Sequence, residues 1–377
     1  MTASAIQFHP IAAQAMPQLN AAAILTRLPQ PLPTVIYRAP DPTDDARWKL
    51  HSIAGRALQI AQPVTFTPYA SARPCSARCR FCSETLIENK GDKPASGLRP
   101  DRQYMQGLQS ALAQLRGVPM SYSLSGLETT DDPDWMLDML DILDRHAQSS
   151  TVHQRVLYTN AAGLADPQRG TQLIRRLEDF NTDWIELSRH HFAEEFNQAI
   201  MRFRPGVAIR EQDIFEDTLL RLNAKLPVKL VCIVQRGGID SAQQMQQYLD
   251  WAQGLGVSSV IFREFSKLDE RYADNVTARY IGATRIGIDT LLDDCLSLPA
   301  LAAQLHFERA TEGYYFWNVA AKYRGIDVVF EASDYVAMHR QHDSGRVYKL
   351  VFHANGNLCA DWNPNRHVLF SASREES

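Results

Sequence analysis

From residue 63 to about residue 303 the chain alternates between two patterns. Apolar runs of seven or eight residues, "PVTFTPY" (63–69), "MSYSLSG" (120–126), "RVLYTNAA" (155–162), "DWIELSR" (183–189), "VKLVCIVQ" (228–235) and "SSVIFREF" (258–265), have the length and composition of strands. Between them, apolar residues recur at helical spacing in "RQYMQGLQSALAQLRG" (102–117), in "DPDWMLDMLDILDRHAQ" (132–148), near 169–179 and 211–223, and in "SAQQMQQYLDWAQGLG" (241–256). In the second of these helices Asp132 is placed to cap and Pro133 to fill the first turn, with Trp135, Leu137, Leu140 and Leu143 as its apolar face. Strands separated by helices of this length imply βαβ units and a parallel sheet. About six such units predict an α/β fold, a partial (β/α)6 TIM-like barrel over residues 63–303.

The two ends read differently. Residues 1–62 form an N-terminal arm rich in Ala, Pro and Gln, closed by a short amphipathic helix expected over residues 46–60. Residues 304–377 predict a small β-rich cap. There "GYYFWNVAAKYRGIDVVFE" (313–331) and "RVYKLVFHANGNLCADW" (346–362) alternate like antiparallel strands, with turns at Arg324-Gly325 and Asn355-Gly356. The cap is dense in aromatic and polar side chains, among them Tyr314, Tyr315, Trp317, Tyr348, Lys349 and His353, as a lid over a barrel mouth would be.

Composition narrows the classes. Hydrophobic residues make up 45% of the 377 and charged residues 22%, the balance of a globular protein with a substantial core. A net charge of −4 gives no electrostatic case for nucleic acid or membrane partners. No run of about 18 apolar residues is present. No basic residue precedes the first apolar positions, so no secretory signal is expected. The chain is expected in the cytoplasm, with its six cysteines reduced.

Three of those cysteines crowd into "ARPCSARCRFCSE" (72–84): Cys75, Cys79 and Cys82, spaced C-x3-C-x2-C directly after a strand. Three thiolates on one loop can meet at a metal centre. A structural zinc wants a closed set of four ligands. His51, His190, His191 or Cys359 can supply the fourth, but none stands at zinc-finger spacing. A [4Fe–4S] cluster held by only three cysteines leaves one iron open, and an open metal position is the mark of a catalytic site.

The C-x3-C-x2-C spacing, with Phe81 just before the last cysteine, resembles the radical S-adenosylmethionine (SAM) superfamily. That resemblance implies a [4Fe–4S] cluster on Cys75, Cys79 and Cys82, with SAM on the open iron. It also implies reductive cleavage of SAM to a 5′-deoxyadenosyl radical that removes hydrogen from a substrate. The family's Gly-Gly-Glu-Pro-like turn, which binds the SAM amino group, corresponds to "SLSGLETTDD". Gly126 and Glu128 match, whereas Leu127 and Thr129 depart. A Thr-Asn-Gly-like turn facing the SAM ribose corresponds to "LYTNAAG", with Asn160 as the match. In "WIELSR", alternation puts Glu186 and Ser188 on one face and Ile185 and Leu187 on the other. Ser188 is the match for a polar SAM contact, and Arg189 at the strand end is a candidate for a carboxylate. All these candidates lie at strand C-termini, where parallel barrels carry their sites.

Residues 228–265 resemble the branch that includes GTP 3′,8-cyclase, through Gln235, Arg236 and Asp240 and then Glu264-Phe265. That branch's second cluster needs three C-terminal cysteines, and only Cys359 is present in the tail, so GTP cyclisation is not expected. Cys359 is either a hydrogen donor to a substrate radical, a ligand, or a buried residue of the cap. Tyr158, Glu186, Gln235, Arg263 and Glu264 are candidates for substrate contact, with at most one of the last two facing the lumen.

The reading is therefore an enzyme that acts on a small metabolite and takes electrons from a donor such as flavodoxin or ferredoxin. Modification of a ribosomally made peptide is the second reading, and a non-catalytic metal-binding or regulatory protein is the reading from a different class.

Overall fold

Alternating apolar positions build fourteen strands into a single sheet, in a computed structural model that describes residues 25–38, 45–69, 71–88 and 93–372. In chain order these are β1 (Thr34–Tyr37), β2 (Trp48–Ile53), β3 (Arg56–Tyr69), β4 (Met120–Leu124), β5 (Val152–Thr159), β6 (Trp184–Ser188) and β7 (Val228–Val234). They continue with β8 (Ser259–Glu264), β9 (Leu305–Glu312), β10 (Phe316–Tyr323), β11 (Ile326–Ser333), β12 (Val347–His353), β13 (Asn357–Cys359) and β14 (Val368–Ser371).

Strands β3 to β8 pair in chain order, every pair parallel. The connections carry helices Tyr104–Gln114, Pro133–Ala147, Arg169–Asp179, Gln212–Asn223 and Ala242–Gly254. These are the helices that the apolar spacing predicts. Asp132 caps Pro133–Ala147 as expected, its carboxylate accepting from the Trp135 N–H at 3.2 Å. Short helices at Glu194–Met201, Val276–Thr284 and Tyr335–His342 are additional. Among the described residues no helix is long and apolar enough to cross a membrane.

The two faces of the sheet differ. Phe66, Tyr122, Leu157, Leu187, Leu230 and Phe262 pack with helix residues such as Leu108, Leu140, Leu173, Leu219 and Leu249 in one apolar core. Strand alternation then sends Thr67, Tyr69, Ser123, Tyr158, Glu186, Ser188 and Arg263 to the helix-free face, which is polar.

The ends of the chain depart from expectation in two ways. Residues 46–60 are not a helix but a hairpin, β2 antiparallel to the start of β3. Ala54 and Gly55 turn it with φ of 48° and 77°, the paired positive values of a tight hairpin turn. The tail also does more than cap. Its turns at Arg324-Gly325 and Asn355-Gly356 lie where expected, but β11 joins β8 in parallel and β12 joins β3 in parallel. The tail thus extends the parallel sheet at both edges, with β10, β9 and β1 beyond β11 and with β13 and β14 beyond β12. Of the proposed arm, residues 1–24 and 39–44 lie outside the described residues.

Candidate active site at the strand ends

The cysteine loop leaves the C-terminal end of β3. Its backbone is zipped to the last turn of helix Glu194–Met201 and the segment after it. Arg78 N–H donates to the Met201 carbonyl at 3.1 Å, Arg80 N–H to Ile200 at 3.1 Å, and Arg204 N–H to Ser76 at 2.9 Å. Cys75, Cys79 and Cys82 are all partly buried. Phe81 anchors the loop's far end, edge-on to His190 at 4.9 Å and against Phe265 at 5.3 Å, joining it to the ends of β6 and β8.

Burial raises all three thiols, Cys82 to about 12, and the other thiols and Glu128 push Cys79 further up. No cation is prominent among the groups acting on them. A donor set of three clustered thiols with only acidic neighbours fits a positively charged iron–sulfur centre or zinc, either of which would hold the thiolates ionised. Among the described residues, no three His, Cys, Asp or Glu side chains are already closed to metal-binding geometry.

Glu128 follows the β4 turn and is almost fully buried. One carboxylate oxygen accepts from the Thr130 hydroxyl and the Thr159 hydroxyl, each at 2.6 Å, and from Thr130 N–H at 3.2 Å. The other accepts from Asn160 N–H at 2.6 Å. Glu128 therefore staples the β4 turn to the end of β5. Asp131 extends the brace, its carboxylate accepting from Ser76 N–H at 2.6 Å inside the cysteine loop. Burial raises both carboxyls, and the Asp131 charge raises Glu128 further. The Asn160 amide donates to Ser76 Oγ at 3.1 Å and approaches Cys75 Sγ at 3.9 Å. Thr130, Asp131, Thr159 and Ser76 were not singled out by sequence. For the first three the one signal is the polar density of "LETTDD" and "YTNAAG"; Ser76 has only its place beside Cys75.

Gly126 and Leu127 both have positive φ, 104° and 53°. At Gly126 a Cβ would overlap the Tyr69 ring, so glycine lets that ring seat against the β4 turn. Leu127 holds its positive φ without being glycine.

The other candidates divide by face. Arg263 lies on the helix-free face, bonded to Glu186 at 3.0 Å and to Glu331 on β11 at 2.5 Å. Tyr158 is half-buried among the same charges. Ser188 ends β6 on that face, half-buried. Glu264 faces the helices instead, where it pairs with Arg285 at 2.9 Å and accepts from Ile288 N–H at 2.6 Å. Arg189 also belongs to the helix side. Its guanidinium sits 4.4 Å over the Phe215 ring and bonds Gln212 and the His191 carbonyl. The alternation that puts Glu186 and Ser188 inward puts Arg189 outward with Leu187, so its strand-end position was misleading. Gln235 is fully buried and accepts from the Tyr280 hydroxyl at 2.6 Å, turned to helix Val276–Thr284. His190 accepts from Ile233 N–H and His191 from Ala193 N–H, both as structural partners. His51 sits on the β2 hairpin, bonded to the Gln114 carbonyl. Cys359 pairs with Val351 and so shares the helix-free side of β12, but it is fully buried, 3.6 Å from the Pro364 carbonyl.

Beyond the cysteine loop a cavity of about 380 Å³ opens between Glu84, Glu88, Tyr272, Tyr315, Tyr335 and Trp362. The tail thus walls a space that begins at Ser83, immediately after Cys82.

No protein-family model and no curated protein sequence matches the chain. Among solved structures it is similar to Streptococcus suis SuiB bound to precursor peptide SuiA, at 14% identity and a TM-score of 0.45, over 79% of this chain and 59% of that one. SuiB bound to S-adenosylmethionine matches at 14% identity and 0.45, over 81% and 62%. Escherichia coli coproporphyrinogen III oxidase HemN, a radical SAM enzyme, matches at 11% identity and 0.42, over 68% and 66%. The chain spans about three-fifths of the length of the SuiB structures it matches.

Proposed function

We propose that this chain is a radical SAM enzyme acting on a small molecule. The carrying observation is the C-x3-C-x2-C loop at the end of a parallel strand, braced by Asp131 after β4, a turn that Glu128 in turn ties to the end of β5. Cys75, Cys79 and Cys82 are the cluster ligands. When bound, the cluster and SAM supply reductive cleavage of a carbon–sulfur bond and a radical that takes hydrogen from substrate.

The rest is done by the chain. Phe81 fixes the loop against His190 and Phe265. Glu128 gives its carboxylate to Thr130, Thr159 and Asn160, so its part is to shape the Gly126 turn, whose backbone carbonyls would be the acceptors for the SAM amino group. Asn160 and Ser188 are the side chains at hand for the ribose and carboxylate. Arg263, held between Glu186 and Glu331, and Tyr158 form the polar floor beneath the substrate. Residues 63–303 carry the cofactor machinery, and residues 304–377 close the substrate side.

The cavity of about 380 Å³ beside the cysteine loop has the size of a small-metabolite site, which favours that reading over a peptide. The likeness to the GTP 3′,8-cyclase branch is confined to residues 228–265 and does not extend to its substrate. Cys359 is the candidate hydrogen donor, but it is roofed by Pro364. Arg78, Arg80, Arg202 and Arg204 line a groove beside the cysteine loop, a surface suited to an acidic electron donor such as flavodoxin.

Electron paramagnetic resonance of the reconstituted, reduced protein tests the open position. A [4Fe–4S]⁺ signal that changes when SAM is added supports it. A signal indifferent to SAM, or zinc in place of iron, defeats it.

A further inference from the structure

Beside the cysteine loop, a groove of about 790 Å³ sets four arginines, Arg78, Arg80, Arg202 and Arg204, against one acid, Glu195. The whole chain carries a net charge of −4, so the excess is local. Arg78, Arg80 and Arg202 are exposed. None of the four forms a salt bridge among the described residues. Elsewhere on the surface, Arg27, Arg169, Arg279 and Arg324 each pair with an aspartate. Arg80 lies instead over the Tyr280 ring, 4.3 Å from its centroid. Arg204 is half-buried, acts on Asp131 across the loop, and leaves its Nε without a hydrogen-bond partner. Cations gathered this way repel one another, and an anionic partner relieves the repulsion.

The groove is built onto the loop itself. Arg78 and Arg80 flank Cys79 in the chain, and their N–H groups donate to the carbonyls of Met201 and Ile200. Arg202 and Arg204 follow that helix, and Arg204 N–H returns to the Ser76 carbonyl at 2.9 Å. The two pairs of arginines thus meet along the backbone seam that carries Cys79. Phe196 lies one turn before Ala199, which lines the groove. Its ring is 47% exposed and stacks on His191 at 4.7 Å. An exposed aromatic beside a group of arginines has the makeup of a protein-docking surface. The cavity of about 380 Å³ shares no lining residue with this groove, so the two are separate sites.

We propose that an acidic one-electron carrier protein docks on Arg78, Arg80, Arg202 and Arg204, with Phe196 at the edge of its footprint, and that the electron enters on the Cys79 side of the loop. One electron leaves the carrier's reduced flavin or iron–sulfur group, which is oxidised, and reduces the centre held by Cys75, Cys79 and Cys82. No covalent bond is made or broken in that transfer. The use of the electron rests on the enzyme reading above; the acidity of the partner rests on the groove alone.

The test is titration calorimetry of the full reconstituted chain with flavodoxin, with an acidic ferredoxin and with single-stranded RNA. At least one carrier binds, and its dissociation constant rises about tenfold between about 50 and about 200 mM sodium chloride. Arg78→Glu combined with Arg202→Glu weakens that binding by about tenfold or more. Arg27→Glu combined with Arg169→Glu makes the same charge change at paired arginines elsewhere and leaves binding within about twofold. Phe196→Ala weakens binding with the salt dependence unchanged; wild-type binding by that variant removes Phe196 from the footprint. Failure of both carriers to bind, equal binding by the two double variants, or tighter binding of RNA than of either carrier overturns the docking surface. Cleavage of SAM by the wild type is read separately with dithionite, which needs no carrier. If 5′-deoxyadenosine forms while neither carrier binds, the docking surface fails and the enzyme reading stands. Arginine-dependent carrier binding by a chain that leaves SAM intact separates them the other way.

Discussion

Gly126 shows how much one missing atom decides. Its φ of 104° and the Tyr69 ring behind it leave no room for a Cβ. Gly126→Ala is expected to cost roughly 1–3 kcal/mol in urea unfolding, from backbone strain and the displaced ring. A variant as stable as wild type would mean that the ring is not seated there. Lys349 gives a prediction of pH dependence. Burial sets its folded-state midpoint at about 7, below the ordinary lysine value. Above pH 7 the unfolded chain keeps a proton that the folded chain has released, so this residue makes stability rise with pH, by up to about 1.4 kcal/mol per unit. Lys349→Met lacks that slope. It is expected to be the more stable protein at pH 7, and its advantage should shrink toward pH 8.5. Denaturant midpoints of the two proteins across that window check the sign, and a constant difference would contradict it.

At the level of elements, the βα alternation was legible because a parallel strand buried under helices leaves a continuous apolar run, and helices of ten or more residues show their period. The β2–β3 hairpin was not legible as one. Between residues 48 and 60 the apolar residues satisfy both periods, and only Ala54-Gly55 at positive φ separates them. Leu50, 72% exposed, contributes nothing to burial on either reading. The cysteine loop announced itself by spacing. The brace beneath it did not, since Glu128, Thr159 and Asp131 meet only when β4 and β5 pair. Arg189 turns to the helices because alternation outweighs proximity to a strand end, whereas Arg263 and Glu264 divide between the two faces as alternation expects. The brace predicts that Asp131→Ala, which frees Ser76 N–H, releases iron from the reconstituted protein to a chelator roughly tenfold faster than wild type. An unchanged release rate would make Asp131 irrelevant to the loop.

Over the whole molecule, the tail closes the sheet at both edges and clamps the segment after the cysteines. Arg366 bonds Glu88 at 3.0 Å and Asp343 at 2.6 Å, tying the last loop to that segment and to the end of helix Tyr335–His342. The pairs are partly exposed, so Arg366→Ala should cost no more than about 1 kcal/mol overall. It should nonetheless speed amide hydrogen exchange in residues 84–88 and 361–371, with β5 to β7 unchanged. Exchange that rises evenly through the chain would show global loosening instead. None of this closure was readable in sequence, because β12 reaches β3 across most of the chain.

The central claim is that three cysteines on the β3 loop hold a cluster that cleaves SAM. The most direct measurement reconstitutes wild type and Cys82→Ala anaerobically with iron and sulfide, counts iron, adds SAM and dithionite, and assays 5′-deoxyadenosine. The account predicts about four irons per wild-type chain with 5′-deoxyadenosine formed, and none formed by the variant. Zinc in the site, or a full cluster that leaves SAM intact, would contradict it.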